Sequence, residues 1–361
     1  MPSRPIPAPA RPASPPPPAS PAFSHALLDW YDRHARALPW RVPPGADERA
    51  DPYRVWVSEI MLQQTGAKVV APRFVRFVAR WPTVVDLADA HVDEVVGEWA
   101  GLGYYSRARN IHACARVVVE GRGGAFPRTA AGLRELPGIG DYTSAAIAAI
   151  AFGEPVPVVD GNVERIASRI LTLDRPPKAA ARAVRDAVAA WVPADRPGDF
   201  AQATMDLGAT ICTPRSPACL HCPVAAHCRA RAAGEPERWP VKAAKAARPS
   251  RLGAAFVARR PDGAVLLTRR PPRGLLGGTA SVPMSDWSSR ADGATGAEAA
   301  PFAADWRRVG TARHGFTHFD IALEVWTATA TREAPDGCWW STDVEADGVT
   351  TLLRRVLEAS G

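Results

Sequence analysis

Four of the six cysteines in this 361-residue chain fall within residues 212–228, at Cys212, Cys219, Cys222 and Cys228, a C-x6-C-x2-C-x5-C spacing. Four thiols this close in sequence force an irregular loop to wrap one inorganic centre, because four thiolates can enclose either structural zinc or an iron–sulfur cluster. One compact run is unlike the two separated C-x2-C knuckles usual for zinc and suits the four-cysteine ligation of a [4Fe–4S] cluster, with a zinc knuckle as the competing reading. Such clustering is also unlike a disulfide framework, and it points to a reducing compartment, here the cytoplasm. Arg215, Arg229 and Arg231 are expected to offset the charge of the centre. Cys114 and Cys338 stand alone and read as small buried hydrophobes.

The rest of the chain divides around that loop. Residues 1–22 are mostly Pro, Ala, Ser and Arg and read as a disordered tail without the apolar region of a secretory signal. From Phe23 to Arg231 the apolar periodicity is helical, with Thr83 and Thr129 placed to cap helices and Gly101 and Gly121 placed to end them. Within Tyr53–Thr65 the spacing sets Trp56, Ile60 and Met61 on one face, with Glu59 and Gln63 at its edge. Residues 232–250 read as a basic linker. From Arg251 to the end the period becomes two, and Pro261-Asp262-Gly263 between two apolar runs signals a hairpin. Strands are expected at 321–329 and 338–341, and a closing helix at 349–359. A mainly α domain is thus followed by a smaller α+β domain. No run approaches the roughly 18 apolar residues of a membrane span. The net charge of +7 suits a polyanionic partner.

Leu136-Pro-Gly-Ile-Gly140 before Asp141-Tyr142 has the form of a helix–hairpin–helix turn. Gly138 and Gly140 let the backbone approach a ligand, and the amides beyond them suit a phosphate, although Pro-Gly turns also occur simply between helices. Asp160, in Val159-Asp-Gly-Asn162, is placed to cap a helix. Capping and catalysis are compatible, because a carboxylate fixed by backbone amides can stabilise a cationic sugar. Glu59 is the complementary case: partial burial would keep its proton available for donation, whereas a surface helix glutamate would have no such role.

Taken together, Leu38-Pro-Trp-Arg41, Ser58–Thr65, Gly101–Asn110, Leu136–Tyr142, Val159–Asn162, Met205-Asp-Leu-Gly208 and the cysteine loop resemble the MutY adenine DNA glycosylases of the helix–hairpin–helix superfamily. The resemblance spans most of residues 23–231. It implies a [4Fe–4S] cofactor and a double-stranded DNA partner carrying A:8-oxoguanine or A:G mismatches, met by a monomer at the nucleoid. By the same resemblance, Glu59 protonates the adenine, Asp160 stabilises the oxocarbenium-like sugar and Tyr142 supports Asp160. Arg36, Trp40, Arg41 and Gln202 hold or read the flipped base, while Gln64, Leu102 and Tyr104 form a wedge that props the duplex open.

One position separates the reaction subtypes. Endonuclease III-like pyrimidine glycosylase/lyases, the alternative reading, carry a lysine where this chain has Tyr142, and without that amine no Schiff base forms there. Monofunctional adenine excision is therefore implied. Glu164 departs from the lysine found in some MutY proteins. Residues 251–361 resemble the MutT/Nudix-like module of the family, with Arg270–Gly278 at its entry. Residues 274–296 contain no glutamate, so magnesium-dependent hydrolysis is not expected. His314–Phe319 corresponds to the loop that reads 8-oxoguanine, through Thr317 and His318, with an ordinary strand start as the plainer reading. Arg259, Arg260, Arg269, Arg270 and Arg273 are expected to add phosphate affinity.

Overall fold

The computed structural model describes residues 20–46, 48–99, 102, 104–242, 248–271, 275–330 and 333–361. The expected tail up to residue 19, Gly101, the middle of the linker (243–247) and Pro272–Gly274 lie outside these. The chain divides into two compact units, Met1–Ala243 and Ala244–Gly361.

The first unit is helical: α1 (Ser20–His34), α2 (Pro52–Leu62), α3 (Ala67–Arg80), α4 (Val84–Asp89), α5 (Val92–Glu98), α6 (Ser106–Arg122), α7 (Ala130–Arg134), α8 (Asp141–Phe152), α9 (Gly161–Leu171), α10 (Pro177–Trp191), α11 (Pro197–Thr210) and α12 (Arg229–Ala232). Local chemistry sets several of these boundaries. Asp51 accepts from the Tyr53 amide and Pro52 opens α2, where a missing N–H costs nothing. Thr83 caps α4 in a full capping box with Asp86, and Thr129 caps α7. Gly121 lies inside α6, which ends instead at Gly123 in the left-handed conformation, φ 59°. Helix α1 begins three residues before Phe23, with Pro21 in its first turn, where proline is tolerated.

Two apolar clusters organise this unit. One joins α2–α8 through residues such as Trp56, Phe74, Phe77 and Ile147. The other brings α1 back onto α9, α10 and α11, with Phe23, Ile166, Val184 and Phe200 packed together and the cysteine loop against them. Helix α2 is buried from Tyr53 to Met61, apart from the half-buried Arg54, rather than along one stripe. The expected linker is likewise structured in its first part. A short turn of helix covers Pro236–Arg238, and the buried Trp239 accepts from Arg169 Nε at 3.1 Å.

The second unit is a six-stranded sheet of β1 (Ser250–Arg259), β2 (Val265–Arg269), β3 (Ala280–Ser281), β4 (Arg307–Gly315), β5 (Asp320–Thr329) and β6 (Cys338–Ser341), with α13 (Thr351–Ala359) packed on it. The order is β3-β2-β1-β5-β4, with β6 also on β2; β1 and β5 run parallel. The β1–β2 hairpin turns at Pro261–Gly263, as its sequence predicts. Strand β4 has no sequence signal because it is an edge strand, exposed along nearly all its length, so it shows little apolar alternation.

Candidate active site

An open cavity of about 1150 Å³ in the first unit is lined by eight of the residues singled out from sequence: Glu59, Tyr142, Asp160, Arg36, Trp40, Arg41, Gln202 and Gln64. They come from five separate stretches of chain, so their meeting is a product of the fold.

Glu59 sits on the penultimate turn of α2 and is 5% exposed. Burial pushes its carboxyl up to about 7, against the opposing hydrogen bond from Tyr142; the nearby Asp160 raises it further and Arg41 lowers it. Its Oε2 is buried without a hydrogen-bond partner. A buried acid with a proton near neutrality and a vacant oxygen can donate to a ligand. Tyr142, the second residue of α8, hydrogen-bonds Glu59, and its hydroxyl is pushed well above its ordinary value, first by burial and then by both carboxylates. Asp160 caps α9. Its Oδ1 accepts from the Val163 amide at 2.8 Å and its Oδ2 from Asn162 Nδ2 at 2.8 Å. The capping reading of Asp160 thus holds, while the surface-helix reading of Glu59 does not.

The Arg36 and Arg41 positions are decided by a residue to which sequence reasoning gave no role. Asp206, on α11, has a fully buried side chain that pairs with Arg36 Nε at 2.7 Å and Arg41 Nη1 at 2.7 Å. Burial pushes its carboxyl up, but the two arginines outweigh this and hold it below its ordinary value. An acid within the apolar run Phe200–Leu207 was the available signal, since a buried carboxylate needs a partner. Trp40 is buried edge-on against Phe74, ring centres 5.5 Å apart, and Gln202 is also buried.

The cysteine loop packs beside α9. The cation next to it is Arg169, 2% exposed, which donates to Cys212 Sγ at 3.2 Å and to the Thr213 carbonyl at 2.8 Å. Arg215 and Arg231, by contrast, are exposed, and Arg229 reaches the Leu171 carbonyl at 3.4 Å. One turn before Arg169, Arg165 donates to the Cys212 carbonyl (2.8 Å), the Gly208 carbonyl (2.8 Å) and Asn162 Oδ1 (2.9 Å). Asn162 in turn holds Asp160, so one hydrogen-bonded path runs from the loop to the cavity.

Gly138 in the hairpin turn has φ +76°, and a Cβ there would stand 2.8 Å from Asn110 Cβ. Gly140 opens α8 without a side-chain cap. Gln64 and Tyr104 are exposed, but Leu102, expected in the same wedge, is 5% exposed and belongs to the first apolar cluster. In the second unit, Thr317 and His318 are exposed at the tip of the β4–β5 hairpin. The turn is closed by the Phe316 amide donating to the Phe319 carbonyl at 2.8 Å, with the two rings stacked 4.8 Å apart.

Residues 57–190 match the HhH-GPD superfamily base excision DNA repair protein family, 212–228 the iron–sulfur binding domain of endonuclease III, and 254–359 the NUDIX domain. The human adenine DNA glycosylase is 36% identical over 401 residues, covering 93% of this chain and 73% of that protein. The chain belongs to the adenine DNA glycosylase family. The adenine DNA glycosylase of Mycolicibacterium smegmatis is 43% identical over 211 residues, 58% of this chain and 70% of its own length. A thermostable thymine-DNA glycosylase superposes with a TM-score of 0.51 at 29% identity, over 57% of this chain and 94% of its own.

The loop of the glycosylase fits a [4Fe–4S] cluster. Burial pushes the Cys222 thiol up to about 12, and neighbouring Cys212, Cys228 and Cys219 add to this, so the four sulfurs lie within electrostatic range of one another. Thiols held protonated by burial ionise when a metal centre takes them as ligands. Arg169 Nη1 and the Arg231 amide, 3.5 Å from Cys228 Sγ, are donors suited to anionic sulfur. Among the described residues no three His, Cys, Asp or Glu side chains are gathered tightly enough for one metal ion.

Proposed function

We propose that this glycosylase hydrolyses the N-glycosidic bond of adenine mispaired with 8-oxoguanine or guanine in double-stranded DNA, and leaves the strand intact. The observation that carries the reading is the pairing of Glu59, buried and titrating at about 7, with Tyr142 at the position where a lyase needs an amine. Among its described lining residues the cavity contains no lysine.

The base must leave the stack to be reached, and Trp40, Arg41 and Gln202 offer it an apolar wall with polar edges. Glu59 donates its proton to a ring nitrogen, the bond to the sugar breaks, and adenine departs neutral. The positive charge left on the sugar faces the Asp160 carboxylate, which the Val163 amide and Asn162 hold in place. Water adds to the sugar and its proton returns to Glu59. A fixed carboxylate acts without reorganising as the charge develops. The bound cluster would be held by Cys212, Cys219, Cys222 and Cys228 and would brace the loop against α9. Thr317 and His318, exposed on a hydrogen-bonded turn, are the groups proposed to read the oxidised guanine.

Single-turnover cleavage of A:8-oxoguanine, A:G and A:C duplexes tests the reading. Product strands should break only after alkali or heat, with A:8-oxoguanine preferred. Strand breaks without alkali, or abundant borohydride-trapped adduct, would overturn it.

A further inference from the structure

Arg107, in the first turn of α6, takes no part in the cavity and is 8% exposed. Its Nη1 donates to the carbonyls of Ile60 (2.8 Å), Met61 (3.2 Å) and Gln63 (2.7 Å), and its Nη2 to the carbonyl of Leu102 (3.0 Å). The first three acceptors lie at the C-terminal end of α2, where a helix has carbonyls without amide partners and the negative end of its dipole. The guanidinium also lies over the rings of Trp99 and Tyr104, 5.6 Å from each centre. One cation therefore ties the end of the Glu59 helix to the loop that carries Tyr104.

Within two residues of these anchors in the chain stand two residues in an uncommon backbone conformation. Gln64 has φ 58° and Tyr104 φ 51°, both left-handed and neither glycine. Such conformations persist where surrounding structure holds them, and here one side chain bonds the carbonyl of Gln63, directly before Gln64, and that of Leu102, two residues before Tyr104. Both Gln64 and Tyr104 are exposed.

We propose that Arg107 is a positioning residue for base extrusion: by clamping the Gln63 and Leu102 carbonyls it fixes Gln64 and Tyr104 as one preformed pair that enters the duplex. The proposal rests on reading those two residues as the wedge. It goes beyond that reading in making their geometry depend on a buried cation that touches neither substrate nor cavity. The competing role is a plain helix cap. Because Ile60 follows Glu59, loss of a plain cap would disturb the acid and slow excision from every substrate alike.

The test compares two DNA duplexes in single-turnover excision by the full-length holoenzyme. In one, adenine is paired with 8-oxoguanine or guanine and must be extruded. In the other it faces a stable abasic analogue, so extrusion is easier. Arg107→Gln is expected to lose about a hundredfold on the paired duplex, the scale of loss for misplaced groups outside the chemistry, and far less on the abasic one. The pH at which the residual rate inflects should stay where it is in the unmodified enzyme. Arg107→Lys keeps the charge without the fork, serves as the second variant should the glutamine one not fold, and should show the same selective loss in weaker form. Adding Arg107→Gln to a Gln64→Ala/Tyr104→Ala background should bring no further selective loss, since residues acting as one unit are not additive. Equal loss on both duplexes, a moved pH inflection, or full activity of the Arg107 variants would overturn the proposal. If the Gln64→Ala/Tyr104→Ala enzyme itself shows no selective loss, the wedge reading fails first and the proposal falls with it.

Discussion

Glu59 and Asp206 are both buried carboxyls, and their neighbours give them opposite states. Asp206 has two arginines within 2.7 Å and stays an anion below its ordinary range. Glu59 has a tyrosine hydroxyl and one vacant oxygen, so burial dominates and it titrates at about 7 instead of 4.5. Two consequences follow with definite sign. The proposed excision step uses the protonated acid, so the rate should fall about tenfold per pH unit above 7. Folding, in turn, favours the protonated form: stability is full below pH 4.5 and declines as pH rises to about 7, a loss of about 3 kcal/mol once Glu59 is forced to ionise. Glu59→Gln cannot ionise. It should lose excision at least a hundredfold while melting higher than the unmodified enzyme at pH 8, with the gain vanishing near pH 4.5. A melting difference that does not vary with pH would show that Glu59 is not the buried, neutral acid.

At the scale of elements, the site depends on how closely α9 approaches α11. Gly208 marks the contact: a Cβ there would lie 2.5 Å from Asn162 Cβ and 3.2 Å from Arg165 Nη2. The absent side chain admits the two residues that link Asp160 to the cysteine loop. Gly208→Ala must push α9 outward, at a cost of about 1–3 kcal/mol. Because Asn162 holds Asp160 and Arg165 holds the Cys212 carbonyl, the variant should lose both excision rate and iron per protein. Iron analysis alongside single-turnover rates checks this. A stable variant with full iron and full rate would mean that the path from loop to cavity carries no functional weight.

At the scale of the whole molecule, the proposed chemistry and the proposed lesion reading lie in different units. A chain ending at Lys242 keeps every proposed catalytic group and all four cluster cysteines. It should still excise adenine from A:G, while its preference for A:8-oxoguanine falls about ten- to a hundredfold, the worth of a base-edge contact. Of the five arginines expected to add phosphate affinity, most are engaged inside their own unit. Arg259 bonds Ser360 and Arg260 pairs with Asp262. Arg270 lies over Trp287 at 4.7 Å, with Nε bonded to the Leu275 carbonyl. Arg269 is exposed although it bonds the Gly278 carbonyl, and Arg273 lies outside the described residues. Substituting Arg259, Arg260, Arg269 and Arg270 together in the full-length chain should therefore shift the slope of log affinity against log salt by about one phosphate, not four. Unchanged lesion preference in the truncated enzyme would return recognition to the helical unit.

Sequence alone determined what is local or chemically exclusive. Cap residues mark their own helix starts, the Pro261–Gly263 turn marks its hairpin, and the four-cysteine spacing restricts the centre that the loop can hold. Glu59, Tyr142 and Asp160 were singled out through motifs that resemble those of the adenine glycosylases, since a lone helix glutamate or N-cap aspartate would not have marked a site. Sequence could not show how deeply Glu59 is buried, since α2 is covered not only by the adjacent α3 but by α6 and α8, far along the chain. Nor could it reveal Asp206, Arg165, Arg169 or Arg107. Each of these acts through partners distant in sequence, and a charged side chain in a helix reads as solvent-facing until the fold surrounds it. Strand β4 escaped for the converse reason, because an exposed edge needs no apolar alternation. Tertiary structure thus decided which ionisable groups were buried and which partners met them there: burial keeps Glu59 protonated, while two arginines keep the likewise buried Asp206 an anion.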